Sequence, residues 1–318
     1  MAHDGGGTAI IAALAANLGI AATKLAAFFL TGSSSMLAES VHSLADSGNQ
    51  ILLLVGGRRA QRDADDMHPF GYGRERYLYA FIVSIVLFSV GGLFALSEAW
   101  SKWSDPHPID SWQWVAIAVL VAAIAMESFS LRTAMRAANR TRGEQSWSRF
   151  VRSAKAPELP VVLLEDTAAL VGLVLALVGI ASTLLTGDGR WDAAGTAGIG
   201  VLLVAVAAIL ALETRSLLLG ESATAKDVRA IEVALVGDGV ASVIHLRTVH
   251  IGPEELLVAA KIEVDAAETA VQVAAAIDAA EARVRSAVPI AKFIYLEPDL
   301  RRAAAMPADG SARSDDTD

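Results

Sequence analysis

The sequence predicts an all-α membrane domain of six transmembrane helices, followed by a small cytoplasmic α+β domain of order α-β-β-α-β. Three observations carry this. Of 318 residues, 54% are hydrophobic and only 19% charged, with a mean hydropathy of +0.46, a balance that water-soluble domains rarely show. Six segments each supply about 20 largely apolar residues, the length a spanning helix needs. After Leu219 the text shifts to short amphipathic and β-branched stretches. The expected domains are residues 1–220 for the spans, 221–300 for the cytoplasmic domain and 301–318 for a disordered tail.

The spans are placed at Thr8 to Leu30, Met36 to Val55, Tyr77 to Trp100, Trp112 to Leu131, Leu159 to Leu185 and Trp191 to Leu212. The start, "MAHDGGG", lacks the basic cluster of a secretory leader, so the first apolar run is expected to stay as a span. The connections after spans two and four hold Arg58, Arg59, Arg62, Arg74 and Arg76, then seven more basic residues from Arg132 to Lys155. The opposite connections hold only Lys102 and Arg190. By the positive-inside rule both termini and both Arg-rich loops face the cytoplasm, and a bacterial-type plasma membrane is expected. Trp100, Trp103, Trp112, Trp114 and Trp191 fall at the outer ends of spans, where interfacial aromatics belong.

Beyond the spans, Val228, Ile231 and Leu235 repeat at helical spacing, with Thr224 and Asp227 set for a capping box. "ASVIHLRTVHI" and "ELLVAAKIEVD" read as strands joined by a turn, then comes an Ala-rich helix, then the short strand "AKFIYLEP". This order suits helices on one face of a sheet. The tail from Arg301 is polar and expected to be disordered. There is no internal repeat and no cysteine. Disulfides, thiolate metal sites and cysteine nucleophiles are therefore excluded.

Span two raises the functional question. Glu39, His42 and Asp46 stand on one face, with His42 and Asp46 one turn apart. Ionisable groups in hydrocarbon cost at least ~2.5–3.5 kcal/mol each, so they default to a functional site. An imidazole nitrogen and a carboxylate oxygen suit Zn²⁺ or a neighbouring first-row divalent ion better than Mg²⁺ or Ca²⁺. Two ligands do not complete a tetrahedral site. Glu165 and Asp166 in span five lie at comparable depth, about 100° apart around the helix, so one can face span two while the other points elsewhere. The competing reading is a His42–Asp46 pair that only ties helices together. Glu39, Glu98 and Glu127 read as interfacial, Asn17 as a helix–helix hydrogen-bonding residue, and Lys24 as snorkelling to the membrane surface. A second candidate site is the loop "DADDMHPFGYGRERY", where Asp65, Asp66 and His68 could hold a metal while Pro69, Gly71 and Gly73 shape a turn.

Four stretches together, "SSMLAESVHSLADSGNQ", "DDMHPFGYGRER", "LLGESA" at the end of span six and the α-β-β-α-β tail, resemble the cation diffusion facilitators. These are proton-coupled divalent-metal exporters, and "LLEDTAALVG" with "HPFGYG" is similar to the subgroup around zinc transporter member nine. The resemblance implies six spans, a ferredoxin-like C-terminal domain that dimerises, and a transport site pairing His42 and Asp46 with Asp166. Val162 stands where zinc exporters usually carry His, so Glu165, a water or another side chain is left as the fourth ligand. Tyr72 replaces a customary loop His beside Asp66 and His68. Tyr295 and Glu297 replace regulatory metal ligands of the last strand, although His245 and His250 remain.

The function expected is therefore proton-coupled export of a divalent metal, zinc first, by a homodimer in membrane lipid. No resident cofactor, no enzymatic activity and no nucleic-acid partner are expected. The alternatives are an exporter selective for Mn, Co or Fe, and a membrane-anchored metal sensor or scaffold without flux. An intramembrane metalloprotease is disfavoured, because no His-Glu-x-x-His occurs.

Overall fold

The computed structural model describes residues 4–106 and 112–300, with side chains from Asn17 onward. The expected disordered tail lies outside the described residues. Two compact units meet at Gly220 and Glu221.

The first unit is built on six long helices. They are α1 (Asp4–Thr31), α2 (Ser34–Arg59), a third made of α3 (Glu75–Val86), a π-helical turn (Leu87–Leu93) and α4 (Phe94–Ser104), then α5 (Gln113–Arg142), α7 (Glu158–Thr186) and α8 (Arg190–Leu219). A short helix, α6 (Trp147–Ser153), sits between α5 and α7. Glu75–Ser104, α5, α7 and α8 are each long and apolar enough to cross a membrane, and α1 is apolar from Asn17 to Thr31. Many of their exposed side chains are apolar, such as Phe29, Phe129, Leu185 and Val201. That surface suits hydrocarbon, not water. All five outer tryptophans expose half or more of their area, as interfacial anchors do. Helix α5 runs well past the expected Leu131, so that Arg132, Arg136, Arg140 and Arg142 of the second Arg-rich connection are helix instead of loop.

Helix α2 is the least apolar of the six and packs against α1, α3, α7 and α8. Several of its polar groups are met from inside the bundle. At its outer end Ser33 caps the helix through the Met36 N–H. The fully buried Asp192 of α8 accepts the backbone N–H of Ser34 at 2.8 Å and of Ser35 at 3.3 Å, and the Ser33 hydroxyl at 2.9 Å. An N-terminal helix end offers orphan N–H donors and a positive dipole, so a carboxylate from another helix is well placed there. Beside it, α7 and α8 touch backbone to backbone. A Cβ on Gly179 would lie 2.9 Å from the Trp191 carbonyl oxygen, and one on Gly195 2.9 Å from that of Leu175.

One turn below, Lys24 of α1 donates to Glu39 Oε2 at 3.0 Å and to Ser43 Oγ at 2.7 Å, with Lys24 and Glu39 both fully buried. This overturns two expectations. Lys24 does not snorkel, because Glu39 gives its ammonium an anion inside the bundle, and Glu39 is not interfacial. The other Glu39 oxygen lies where Gly172 of α7 has no side chain, since a Cβ there would be 2.6 Å away.

The second unit follows the expected order: α9 (Ala225–Leu235), β1 (Ser242–Gly252), β2 (Glu255–Glu263), α10 (Ala270–Ala287) and β3 (Ala291–Asp299). Strand β2 is central, antiparallel to β1 and parallel to β3. A parallel pair needs a crossover, and α10 supplies it. Alternate residues Leu256, Val258, Ala260 and Ile262 of β2 join Ile231, Leu235, Ala280 and Val284 in one core. At Thr224 the capping box is half made: Asp227 N–H donates to the Thr224 hydroxyl at 3.2 Å, while that hydroxyl donates to the Asp227 carboxylate. A complete capping box forms instead at Thr269 and Gln272 of α10.

Two outcomes follow for stability in detergent. Asp192→Ala leaves buried N–H donors unmet, each worth about 1–3 kcal/mol. It should lower the unfolding midpoint clearly more than Asp192→Asn, which keeps one acceptor oxygen; equal midpoints would remove the cap from the account. Lys24→Met or Glu39→Leu alone strands a buried charge, at about 3–5 kcal/mol, whereas the double variant should recover most of that loss. Thermal unfolding of the four proteins measures the coupling directly.

Candidate metal site within the bundle

Between α1, α2, α5 and α7 lies a polar cavity of about 20 Å³, room for one water-sized occupant. Its wall carries the carboxylates of Asp46, Glu127, Glu165 and Asp166, the amides of Asn17 and Gln50, the hydroxyls of Ser43 and Ser130, and the apolar Val162. Glu165 and Asp166 both reach it, in different directions. Glu165, almost wholly buried, accepts from Asn49 Nδ2 of α2 at 2.7 Å. Asp166 accepts from Ser130 Oγ of α5 at 2.9 Å. The 100° between neighbours thus turns one acid toward span two and the other toward span four.

His42 is 1% exposed and stands beside this wall, its Nδ1 3.4 Å from Asp46 Oδ1. Neither ring nitrogen has a hydrogen-bond partner, and the buried Asp46 Oδ1 has none either. Buried polar atoms are nearly always satisfied, so a set of orphans at one place calls for an explanation such as an ion. Among the described residues no three His, Asp or Glu side chains stand close enough together to grip one ion. The acids surround the cavity without converging.

Glu127 was expected at the membrane surface, and the structure puts it on the cavity wall. Ending span four at Leu131 made it terminal; in α5, which runs from Gln113 to Arg142, it lies near the middle. The helix length was the missing signal. Ser130, one turn on, could have been found from the same i, i+3 spacing. Asn49 and Gln50 sit next to one another in the quoted motif but carry no charge to single them out.

The loop after α2 is organised by Asp65. Its carboxylate accepts the backbone N–H of His68 at 2.8 Å and of Met67 at 3.0 Å, and the Tyr72 hydroxyl at 2.6 Å. The Tyr72 hydrogen bond first, and the His68 N–H after it, hold the Asp65 carboxyl down at about 2. His68 stacks on Tyr72, with ring centroids 4.3 Å apart, and Arg62 covers the Tyr72 ring. His68 Nδ1 is 3.4 Å from Asp65. Asp66, expected as its partner, is the second residue of the Asp65–His68 turn and is exposed. In the second unit His250 is buried, its Nδ1 3.2 Å from the Gly252 carbonyl oxygen, whereas His245 is exposed.

Comparison with known proteins adds relatives to this geometry. The chain is 33% identical over 246 residues to a mitochondrial proton-coupled zinc antiporter of Xenopus laevis, covering 76% of this chain and 44% of that one. It is 32% identical over 225 residues to the antiporter of the same name in Homo sapiens, covering 70% and 39%. The chain thus spans less than half the length of these two relatives. With the cation-efflux pump FieF of Pectobacterium atrosepticum it shares 29% identity over 253 residues, 78% of each chain. A solved C-terminal domain of MamM, in a nickel form, is 25% identical and covers 24% of this chain and 96% of its own, with a TM-score of 0.23. The family model described as the cation efflux transmembrane domain matches residues 10–219, from the first span to the end of the sixth, and the chain belongs to that family.

Proposed function

We propose that this chain exports a divalent transition metal, zinc in the first place, in exchange for protons, through the cavity between spans two and five. The observation that carries the reading is a set of unsatisfied buried atoms: Oδ1 of Asp46, which lines that cavity, and both nitrogens of His42, whose Nδ1 is 3.4 Å from it. Asp166 and Glu165 line the same cavity as Asp46. One imidazole with carboxylate oxygens is a donor set for Zn²⁺, and also admits Mn²⁺, Fe²⁺ or Co²⁺. The names of the frog and human relatives, proton-coupled zinc antiporters, support the same ion and the same coupling. They do not support the bacterial-type plasma membrane expected from the sequence, because both are named mitochondrial. The membrane placement kept here is therefore the orientation, with the Arg-rich loops and the C-terminal unit on the side the metal leaves.

Exchange follows from shared ligands. Metal binds only deprotonated His and carboxylate side chains, so each ion that enters drives protons off, and protons arriving from the other side drive the ion out. No covalent step is involved, and no enzymatic activity is proposed. The loop pair Asp66 and His68 is kept as a secondary site, one that would have to recruit His68 away from the Asp65 turn. The C-terminal unit is proposed to hold two protomers together. It leaves Tyr295 and Ile244 exposed for such a contact.

The test is proton-gradient-driven uptake of Zn²⁺, Mn²⁺, Co²⁺ and Fe²⁺ into inverted vesicles holding the full chain. Outer-shell partners of a metal are worth about 10–100-fold. Removing a direct ligand in Asp46→Ala should do more, bringing uptake down to that of protein-free vesicles. Uptake equal to wild type would take Asp46 out of the pathway. Collapsing the gradient with a protonophore should stop uptake by the wild type; flux that persists would refute proton coupling. Metal binding without flux in any arm is what a sensor or scaffold would give.

A further inference from the structure

We propose that Glu127 of span four is a ligand of the transported metal, taking the place that Val162 leaves unfilled in span five. This rests on the transport reading above. Val162 presents an apolar side chain to the cavity, so α7 supplies nothing there beyond its two acids. Glu165 is engaged by Asn49 at 2.7 Å, which holds it against α2. Glu127 lines the same cavity from α5. It shares a helix face with Ser130, whose hydroxyl holds Asp166 at 2.9 Å, so Glu127 and Asp166 flank the same stretch of wall. Among the described residues no hydrogen bond or ion pair ties up the Glu127 carboxylate. It is an available oxygen donor.

Acids around a cavity do not by themselves make a site. The independent sign is His42, which is 1% exposed, 3.4 Å from Asp46 and without a hydrogen bond at either nitrogen. An imidazole left so has a partner still to come. With Glu127 the donor set becomes one nitrogen from His42 and oxygens from Asp46, Asp166 and Glu127, the number a four-coordinate ion needs, and the ion has to draw them together because no three of the described ligand-type side chains already converge. Such a set is richer in oxygen than one with two imidazoles. Oxygen donors suit Mn²⁺ better than imidazole does, so Glu127 also sets selectivity, bringing Mn²⁺ closer to Zn²⁺ as cargo.

The experiment compares wild type, E127Q and E127Q/V162H in the same vesicles, with Zn²⁺ and Mn²⁺ as the probes. E127Q is expected to raise the KM for Zn²⁺ about 10-fold or more, the scale of loss that even outer-shell partners show. Adding V162H should restore the Zn²⁺ KM through a second imidazole, and lower the Mn²⁺-to-Zn²⁺ uptake ratio below that of wild type. A purely structural Glu127 predicts neither the rescue nor the change of ratio, and an unchanged KM and ratio in E127Q would overturn the proposal. If E127Q does not fold, the wild type still decides. Dicyclohexylcarbodiimide labels intramembrane carboxyl groups, and saturating Zn²⁺ should protect Glu127 from it as read by mass spectrometry; equal labelling with and without Zn²⁺ refutes the assignment. Wild type that moves no metal would end the transport reading, yet the protection experiment would still report whether Glu127 touches bound metal.

Discussion

Everything in the membrane unit depends on the rule that a polar group surrounded by hydrocarbon must find its partner inside the bundle. Helix α2 tests the rule hardest, since it brings serines, Glu39, His42, Asp46 and Asn49 into the membrane. Each neighbour answers one of them. Helix α8 sends Asp192 to the first N–H groups, α1 sends Lys24 to Glu39 and Ser43, and Asn49 reaches Glu165 on α7. These contacts fix the rotation of α2 about its own axis. That rotation decides which side of the helix meets the cavity, where Asp46 stands with an unmatched oxygen and His42 next to it.

The architecture was legible because period and composition report it. Apolar runs of spanning length marked the helices, and β-branched stretches between helical ones yielded the α-β-β-α-β order that the structure shows. Position along a helix was legible too, which is why His42, Asp46, Glu165 and Asp166 could be set at one depth. What the text does not encode locally is azimuth. Lys24 and Glu39 lie on different helices, and only packing shows that their side chains meet. Asp192 lies one residue inside the sixth span as read from the text, and nothing local shows that it reaches the first N–H groups of α2. Glu127 was hidden by a helix that continues past the membrane: charge after Leu131 ended the hydrophobic run without ending the helix.

The loop after α2 teaches the same point on a smaller scale. Asp65 and Asp66 are indistinguishable as letters. A carboxylate three residues before His68 can accept that residue's N–H, and from the same place it reaches the Tyr72 hydroxyl. A carboxylate two residues before it is left in solvent. Backbone geometry, not composition, separates the two.

For the exchange proposed above, charge balance supplies a physical reason. Two unit charges about 4 Å apart interact by roughly 4 kcal/mol at the effective dielectric of ~20 that suits protein sites. Four carboxylates around one small cavity therefore hold one another apart, consistent with no three of the described ligand-type side chains converging. The nearest buried cation that packing provides, Lys24, is already committed to Glu39 and does not discharge them. Compensation has to come from a mobile positive charge, and protons and a divalent ion are the two that carboxylate and imidazole both accept. In the proposed exchange either one would let the acids approach, and each would compete with the other for the same oxygens. A cavity whose own fixed charges demanded no visitor would bind metal weakly or not at all, and one with a resident cation would have no reason to release it.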